Sequence, residues 1–290
     1  MVAEASLELV VFILIFLAAG AVGFRYAVLG KRLADPSLTI GEMELFGGAG
    51  SRAAMLGLIG SIGTLLLLFA RNLPRSAARQ HLGVMQYLMG NPLPALQALL
   101  AIVAVIGFGL AMSRVPAGWF LALVAVVGSP ISPLFFGRWT PAINPIHRLA
   151  GGLWIGTLFV LVVCGLGPVL RASLDPLWRG NTAANMVHSF SPLALGSFFV
   201  LSFTGVNTAW IHLKHLNALW TTAYGYTLIA KLCVVAVVVG LGAFNWRKQR
   251  PLLGTEGAAA SLRRSAVAEL AAATVVLIIT AVLVSLPSPR

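Results

Sequence analysis

A chain of 290 residues with 59% hydrophobic and only 10% charged residues cannot cover a water-soluble domain, which usually carries about 25% charged residues. The apolar runs are continuous, as in membrane helices, and lack the alternation of membrane barrel strands. The net charge of +12 is spread over short loops between these runs, which argues against a nucleic-acid partner and for contact with membrane lipid.

The sequence therefore predicts an all-α, polytopic transmembrane helical bundle of about eight helices with no soluble domain. Each predicted span is long enough to cross roughly 30 Å of hydrocarbon. The beginning of the chain lacks the positive region of a cleavable signal peptide, so the first span is expected to be a retained helix. In chain order the spans are 6–29, 52–70, 93–113, 118–137, 147–170, 190–213, 222–245 and 265–286.

The fourth span contains two prolines, Pro130 and Pro133, next to Gly128 and Ser129. Prolines inside a helix favour a kink or a break. A broken membrane helix is tolerated only where the freed backbone faces protein or a water-filled cavity. The 128–133 segment is therefore either the wall of a transport pathway or a plain proline kink.

The orientation of the bundle follows from its basic loop residues. An even number of spans places both termini on the same side of the membrane. Loops on one face hold eleven Lys and Arg residues against seven on the other, and the 246–264 loop alone holds five. The positive-inside rule then places this loop in the cytoplasm and both termini in the periplasm.

One candidate metal-binding segment lies after the second span. If residues 81–89 are helical, His81, Met85 and Met89 share one face at i, i+4, i+8 spacing. Imidazole and thioether groups suit Cu(I). The alternative is an interfacial amphipathic helix whose methionines dip into lipid.

A second candidate lies at the end of the sixth span. His212 and His215 are one helical turn apart, a spacing that can chelate a metal. They are equally typical of interface side chains that flank a snorkelling lysine, here Lys214.

Polar residues inside the predicted spans each require a partner or a role. Lys231 lies deep in the seventh span and Glu269 lies one turn into the eighth, at different heights, which argues against a direct bridge. Glu269 is expected to pair with Arg247 or Arg264. Thr204 and Asn207 can form hydrogen bonds to other helices.

Motifs of other functional classes are missing. The sequence contains no Walker loop, no dinucleotide fingerprint and no persuasive Ser-His-Asp arrangement, and its loops are too short for an ATPase domain. We therefore expect a protein that is not an enzyme and that is not driven by ATP.

From the motif HRLAGGLWIG at 147–156 onward, the second half of the chain resembles the CopD family of copper transport proteins. The resemblance begins at 147–156, where His147 precedes a run of small residues and Trp154 in the sequence HRLAGGLWIG. Further matching motifs are FSPLAL at 190–195, TGVNTAW at 204–210, LWTTAYG at 219–225, Lys231-Leu232, Asn245, Arg247, RRS at 263–265, Glu269-Leu270 and LPSP at 286–289.

The resemblance implies a protein of the bacterial inner membrane that brings copper in from the periplasm. It divides the chain into an N-terminal four-helix half, 1–144, and a CopD-like four-helix half, 145–290. It further implies a periplasmic CopC-like copper carrier as a possible partner. In this reading the outer ligands His81, Met85, Met89, His212 and His215 capture copper, and His147 passes it inward.

The chain departs from the family pattern at two positions. Many relatives have a Gly-His pair at the end of the fourth helix, where this chain has Gly128-Ser129, and an acidic residue where it has Asn144. Either other ligands replace these groups, with the His81, Met85 and Met89 face as a substitute, or copper is not the substrate.

Two alternatives to copper transport remain open at this point. One is a haem b-binding membrane oxidoreductase of the HemJ type, in which His147 would bind haem with His212 or Met89 as the second ligand. The other is an assembly factor that delivers copper to a membrane oxidase.

Overall fold

The computed structural model describes residues 2–33, 35–213, 215–248 and 258–286, without the side chains at 31, 245–248 and 258–263. These residues form ten helices and no strand. Eight are long and apolar enough to cross a membrane, which confirms the predicted architecture. In chain order the helices are α1 Val2–Leu29, α2 Ile40–Ala78, α3 Val84–Gly90, α4 Pro92–Met112, α5 Pro116–Phe135, α6 Trp139–Arg171, α7 Pro176–Leu213, α8 Ala218–Thr221, α9 Ala223–Lys248 and α10 Ala258–Ser285.

Local sequence signals set the helix ends. Thr39 and Glu42 form a reciprocal capping box at the start of α2, in which each side chain satisfies a free backbone N–H. Pro92 and Pro116 occupy the first positions of α4 and α5, where a missing N–H costs no hydrogen bond. Glu42 also accepts a hydrogen bond from Trp178 Nε1, which joins the start of α2 to the start of α7.

Both ends of the helical bundle lie on one face. The first residues of α1 and the last residues of α10, including Val2, Ala5, Ile278 and Ser285, line the same shallow apolar groove. We call this side of the bundle the terminal face. The shared face agrees with the even number of spans, while the compartment that it faces stays a prediction.

Two helices form the centre of the bundle. Half of the apolar stretch of α1 and 61% of that of α6 are buried inside the protein, against 11% for α9. The two central helices cross at glycines, because a Cβ at Gly20 would lie 2.3 Å from the Gly156 carbonyl oxygen. Small residues near 151–156 thus allow α6 to approach α1 closely, and peripheral α9 packs against α10 and α8.

The sequence predicts a kink or a break in the fourth span, and the break is wrong, since α5 continues through Pro130 and Pro133. Pro133 has no N–H to bond the carbonyl of Ser129, four residues earlier. The Ser132 hydroxyl donates to that carbonyl instead, at 2.7 Å, and Gln97 of α4 donates to the hydroxyl at 3.3 Å. The freed carbonyl is therefore satisfied within the protein, without a gap in the helix.

Candidate functional site

His147 lies inside the bundle, on the part of α6 nearest the terminal face. It follows the first residue of α6, Trp139, by about 12 Å of helix rise. Its Nδ1 lies 2.9 Å from Thr204 Oγ1 on α7. The ring can lie this close to α7 because the neighbouring residue is Gly205, where a Cβ would lie 3.3 Å from His147 Cε1.

The hydrogen bonds of Thr204 determine which ring nitrogen of His147 is free. A threonine hydroxyl has one hydrogen, and Thr204 places it on the Val200 carbonyl at 2.6 Å. Thr204 Oγ1 therefore accepts from His147 Nδ1–H, and in this tautomer Nε2 carries the lone pair of the ring. This arrangement, in which a second residue orients the imidazole, is the one that metal-binding histidines use.

The other predicted polar residue of α7 behaves differently. Asn207 Nδ2 donates to the Phe203 carbonyl of its own helix at 2.8 Å. Thr204 thus forms the predicted bond to another helix, and Asn207 does not. Trp154 also joins α6 to α7, but through its ring, which meets Phe198 edge to face with centroids 5.9 Å apart.

Lys231 of α9 lies close enough to the His147 ring for electrostatic interaction. In the part of the chain that the structure describes, no carboxylate forms an ion pair with this ammonium. Lys231 lies about 12 Å below the start of α9, whereas Glu269 lies about 24 Å below the end of α10. This difference in height agrees with the expected lack of a direct bridge. Pairing of Glu269 with Arg264 or Arg247 stays a prediction, and the Arg247 side chain lies outside the described residues.

Sequence reasoning missed an ionic network beside His147. Glu8 Oε2 lies 3.8 Å from Arg148 Nη2, and Glu8 Oε1 lies 3.8 Å from Arg71 Nη1. The guanidinium of Arg148 also lies over the Phe12 ring, 5.2 Å from its centroid. The signal that could have revealed the network is an acidic residue within the first apolar span, since such residues need a partner.

The predicted face of His81, Met85 and Met89 does not form. The helix begins at Val84, and His81 lies in the preceding turn with a φ of +57°. Gly83 is the N-cap of this helix, and its N–H donates to the Gln86 side chain at 3.2 Å. The helix therefore starts after His81 and does not include it. Met85 and Met89 do share a face and are 65% and 81% exposed.

The predicted one-turn helical spacing of His212 and His215 does not form either. Helix α7 ends at Leu213, so the two histidines are not one turn apart on a helix. The His212 Nδ1 lies 2.8 Å from the Thr208 carbonyl, and its ring stacks on Tyr224 with centroids 5.9 Å apart. Lys214, which was expected to snorkel between them, lies outside the described residues.

The described residues contain no cluster of three or more His, Cys, Asp and Glu side chains that could hold a metal. The predicted ligands His147, His81, His212 and His215 therefore lie on separate helices and turns of the described residues and are not gathered in one such cluster.

Comparison with known proteins agrees with the resemblance read from the sequence. Residues 184–283 match the family described as CopD, copper resistance protein D. The chain is also 31% identical, over 150 residues, to the copper transport protein CutJ of Bacillus subtilis (strain 168). That match covers 50% of this chain and 25% of the relative, so the chain spans about a quarter of the relative's length. No solved structure matches the chain.

The matched residues 184–283 include the groups that surround His147. Thr204, Gly205 and Lys231 all lie in this CopD segment, whereas His147 itself precedes it. The CopD resemblance is thus confirmed for the C-terminal part of this multi-pass membrane protein. The roles of the individual site residues stay predictions.

Proposed function

We propose that this protein passes copper across the bacterial inner membrane without ATP, from the periplasm to the cytoplasm. One observation carries the proposal. His147 lies inside the membrane span with its Nδ1 at Thr204 Oγ1, a pairing that puts the lone pair of the ring on Nε2, and Thr204 belongs to the CopD segment. The relative CutJ is named a copper transport protein, which supports copper as the substrate.

The chemistry of the site suits a passing ion. Imidazole nitrogen is a good ligand for copper, and Cu(I) accepts few ligands. A route must bind its ion strongly enough to admit it and weakly enough to release it. A site with one oriented histidine and, in the part of the chain that the structure describes, no cluster of three or more further ligands meets the second condition.

Capture of copper is proposed at the terminal face. The exposed thioethers of Met85 and Met89 lie on the short helix that follows the terminal-face end of α2, and His81, His212 and His215 lie near helix ends. Because they do not form one chelate, they would act as separate ligands that exchange copper. Exposed ligands of this kind also suit transfer from a CopC-like carrier in the periplasm.

The test compares cell-associated copper, by elemental analysis, in cells with the wild type, His147→Ala or His188→Ala. His188 is an exposed histidine elsewhere on α7, so its variant is a matched control. We expect the wild type and His188→Ala to raise cellular copper equally, and His147→Ala to return it to the level of cells without the protein. Membrane levels of the three proteins are compared by immunoblot.

Full accumulation by His147→Ala at equal expression would contradict the role of His147. Unchanged copper with the wild type would contradict copper import itself.

A further inference from the structure

Two arginines from different helices share one carboxylate near the terminal face. Glu8 of α1 has one carboxylate oxygen 3.8 Å from Arg71 Nη1 of α2 and the other 3.8 Å from Arg148 Nη2 of α6. None of the three side chains forms another ion pair with a described residue. Arg71 and Arg148, which we call the arginine pair, therefore keep one positive charge that no carboxylate neutralises, which is costly in a membrane-spanning bundle.

Glu8 does not satisfy the N–H donors of the arginine pair. A hydrogen bond between charged N–H and O groups is about 2.7–2.9 Å long, so both contacts of 3.8 Å are charge attraction without a hydrogen bond. Arg71 Nε is buried and has no hydrogen-bond partner among the described residues. The Arg148 guanidinium lies over the Phe12 ring, 5.2 Å from its centroid, a contact that uses its charge and none of its N–H groups. A negatively charged group with several oxygens would satisfy the donors and the charge together.

The arginine pair lies at the level of the lipid headgroups. Helices α2 and α6 have 39 and 33 residues, against about 20 that cross the hydrocarbon, so their ends extend beyond it. Arg71 and Arg148 lie within about 14 Å of these helix ends on the terminal face. Further along α2, the exposed Arg75 and Arg79 follow Arg71 at four-residue intervals and attract anionic lipid to this end of the bundle. Basic pockets between membrane helices bind the phosphate-bearing headgroups of such lipids.

We propose that the arginine pair is a binding site for a phosphate group, carried by the headgroup of an anionic lipid or by free inorganic phosphate. The planar fork of each guanidinium matches two phosphate oxygens, and the pair supplies two forks from two helices. Both arginine side chains are 25% exposed, so the phosphate reaches them from outside the bundle. A phosphate bound here joins α2 to α6 beside α1. This inference goes beyond copper transport and does not depend on it.

The test measures binding to the purified full chain in detergent with three probes: anionic phosphatidylglycerol, phosphatidylcholine of zero net charge, and inorganic phosphate. Native mass spectrometry counts bound lipid, and the rise of the apparent melting temperature with probe concentration gives the affinity. Arg71→Gln and Arg148→Gln each remove one guanidinium, and Arg138→Gln removes an exposed one on the same face as the matched control. We expect Arg138→Gln to bind phosphatidylglycerol like the wild type. Each of the other two variants should bind it about tenfold more weakly, because it loses hydrogen bonds to a charged group.

The three probes distinguish the two sources of phosphate. Binding of phosphatidylglycerol that depends on Arg71 and Arg148 supports the site and identifies a lipid headgroup. Binding of inorganic phosphate with the same dependence, without binding of phosphatidylglycerol, supports the site and identifies free phosphate. Equal loss in all three variants, binding of phosphatidylcholine as tight as that of phosphatidylglycerol, or no binding of any probe would overturn the site. Copper uptake does not enter these measurements, so such a failure leaves the proposed transport untouched.

Glu8→Gln tests the site without removing an arginine. The arginine variants take a partner from Glu8, so size-exclusion chromatography checks that they fold. Glutamine keeps the shape of Glu8 and both guanidiniums, and removes the negative charge that repels a bound phosphate. We expect Glu8→Gln to bind phosphatidylglycerol or inorganic phosphate about tenfold more tightly than the wild type. Unchanged or weaker binding in a folded Glu8→Gln protein would mean that the three side chains only join helices, and the site would be overturned.

Discussion

The proton on His147 is positioned by a residue on another helix. Thr204 commits its hydrogen to Val200 at 2.6 Å and can only accept from His147 Nδ1. When Nδ1 of an imidazole carries the proton and donates it, the lone pair is on Nε2 at the other side of the ring. The hydroxyl thereby orients the ring and fixes its tautomer, which a methyl group in the same place would not do.

Replacement of Thr204 by Val tests this role, because valine keeps the shape and removes the acceptor. Loss of a residue that orients a metal-binding histidine typically lowers affinity or activity by 10–100-fold, and we expect a fall of roughly that size in Cu(I) uptake. The measurement is the initial uptake rate into liposomes. Thr204→Ser, which keeps a hydroxyl, should recover most of the rate.

The matched control for this prediction is Thr208→Val. Thr208 lies one turn further along α7 and donates to the Thr204 carbonyl at 2.9 Å, without a bond to His147. Equal loss in the two valine variants would mean that any missing hydroxyl in α7 disturbs the helix, and the orienting role of Thr204 would be wrong.

Residues of the site differ in how far the sequence could reveal them. His147 was found from a local motif, and Lys231 from its cost inside an apolar span. The bonds of Glu8 to Arg71 and Arg148 join distant parts of the chain, so no local pattern reports them. The shared face of His81, Met85 and Met89 required one unbroken helix, and the helix start at Val84 leaves His81 off that face.

Close packing of α1 against α6 is the main contact at the scale of elements. Helices approach within van der Waals distance of each other's backbone only where side chains are missing. A Cβ on Gly156 would lie 2.1 Å from the Phe16 carbonyl oxygen, and one on Gly20 would meet the backbone of Gly156. The glycines thus set the distance between α1 and α6, the helix that carries His147.

Gly156→Ala should therefore destabilise the protein strongly. The colliding atom is a backbone oxygen, which cannot move without a shift of the whole helix, and we expect a loss of about 3 kcal/mol or more. The measurement is the apparent melting temperature of the purified protein in detergent.

Gly109→Ala is the control for this prediction, because nothing lies within 4 Å of a Cβ at Gly109. Alanine there should keep or slightly raise the melting temperature, since it favours the helix by up to about 1 kcal/mol. A Gly156→Ala protein as stable as Gly109→Ala would show that α1 and α6 do not pack as described.

Long elements were predictable from the sequence, and their interruptions were not. Runs of about twenty apolar residues leave one solution for the backbone in lipid, so the eight spans followed from hydropathy alone. Pro133 was expected to kink or break its helix. Its effect depended on Ser132, whose hydroxyl bonds the carbonyl that the proline leaves free. Such compensation requires a side-chain conformation that a residue pattern does not specify.

For the whole molecule, the terminal face and the opposite face differ in what they carry. His147, Lys231, Arg148 and Glu8 all lie nearer the terminal face than the opposite one, within about 14 Å of a helix end there. The helix arrangement places these groups together. Whether they meet ions from outside or inside depends on the orientation of the bundle in the membrane.

The distribution of basic residues predicts that orientation, and it can be measured directly. With five Lys and Arg residues, the 246–264 loop is expected in the cytoplasm, so the terminal face should be periplasmic. Alkaline phosphatase fused to the C-terminus should then be active, and green fluorescent protein fused there should be dark. The same reporters inserted in the 246–264 loop should give the opposite result.

A fluorescent protein that is active at the C-terminus would place His147 and its cationic surroundings near the cytoplasm. Copper would then meet this site on the way out, and the proposed direction of transport would have to be reversed.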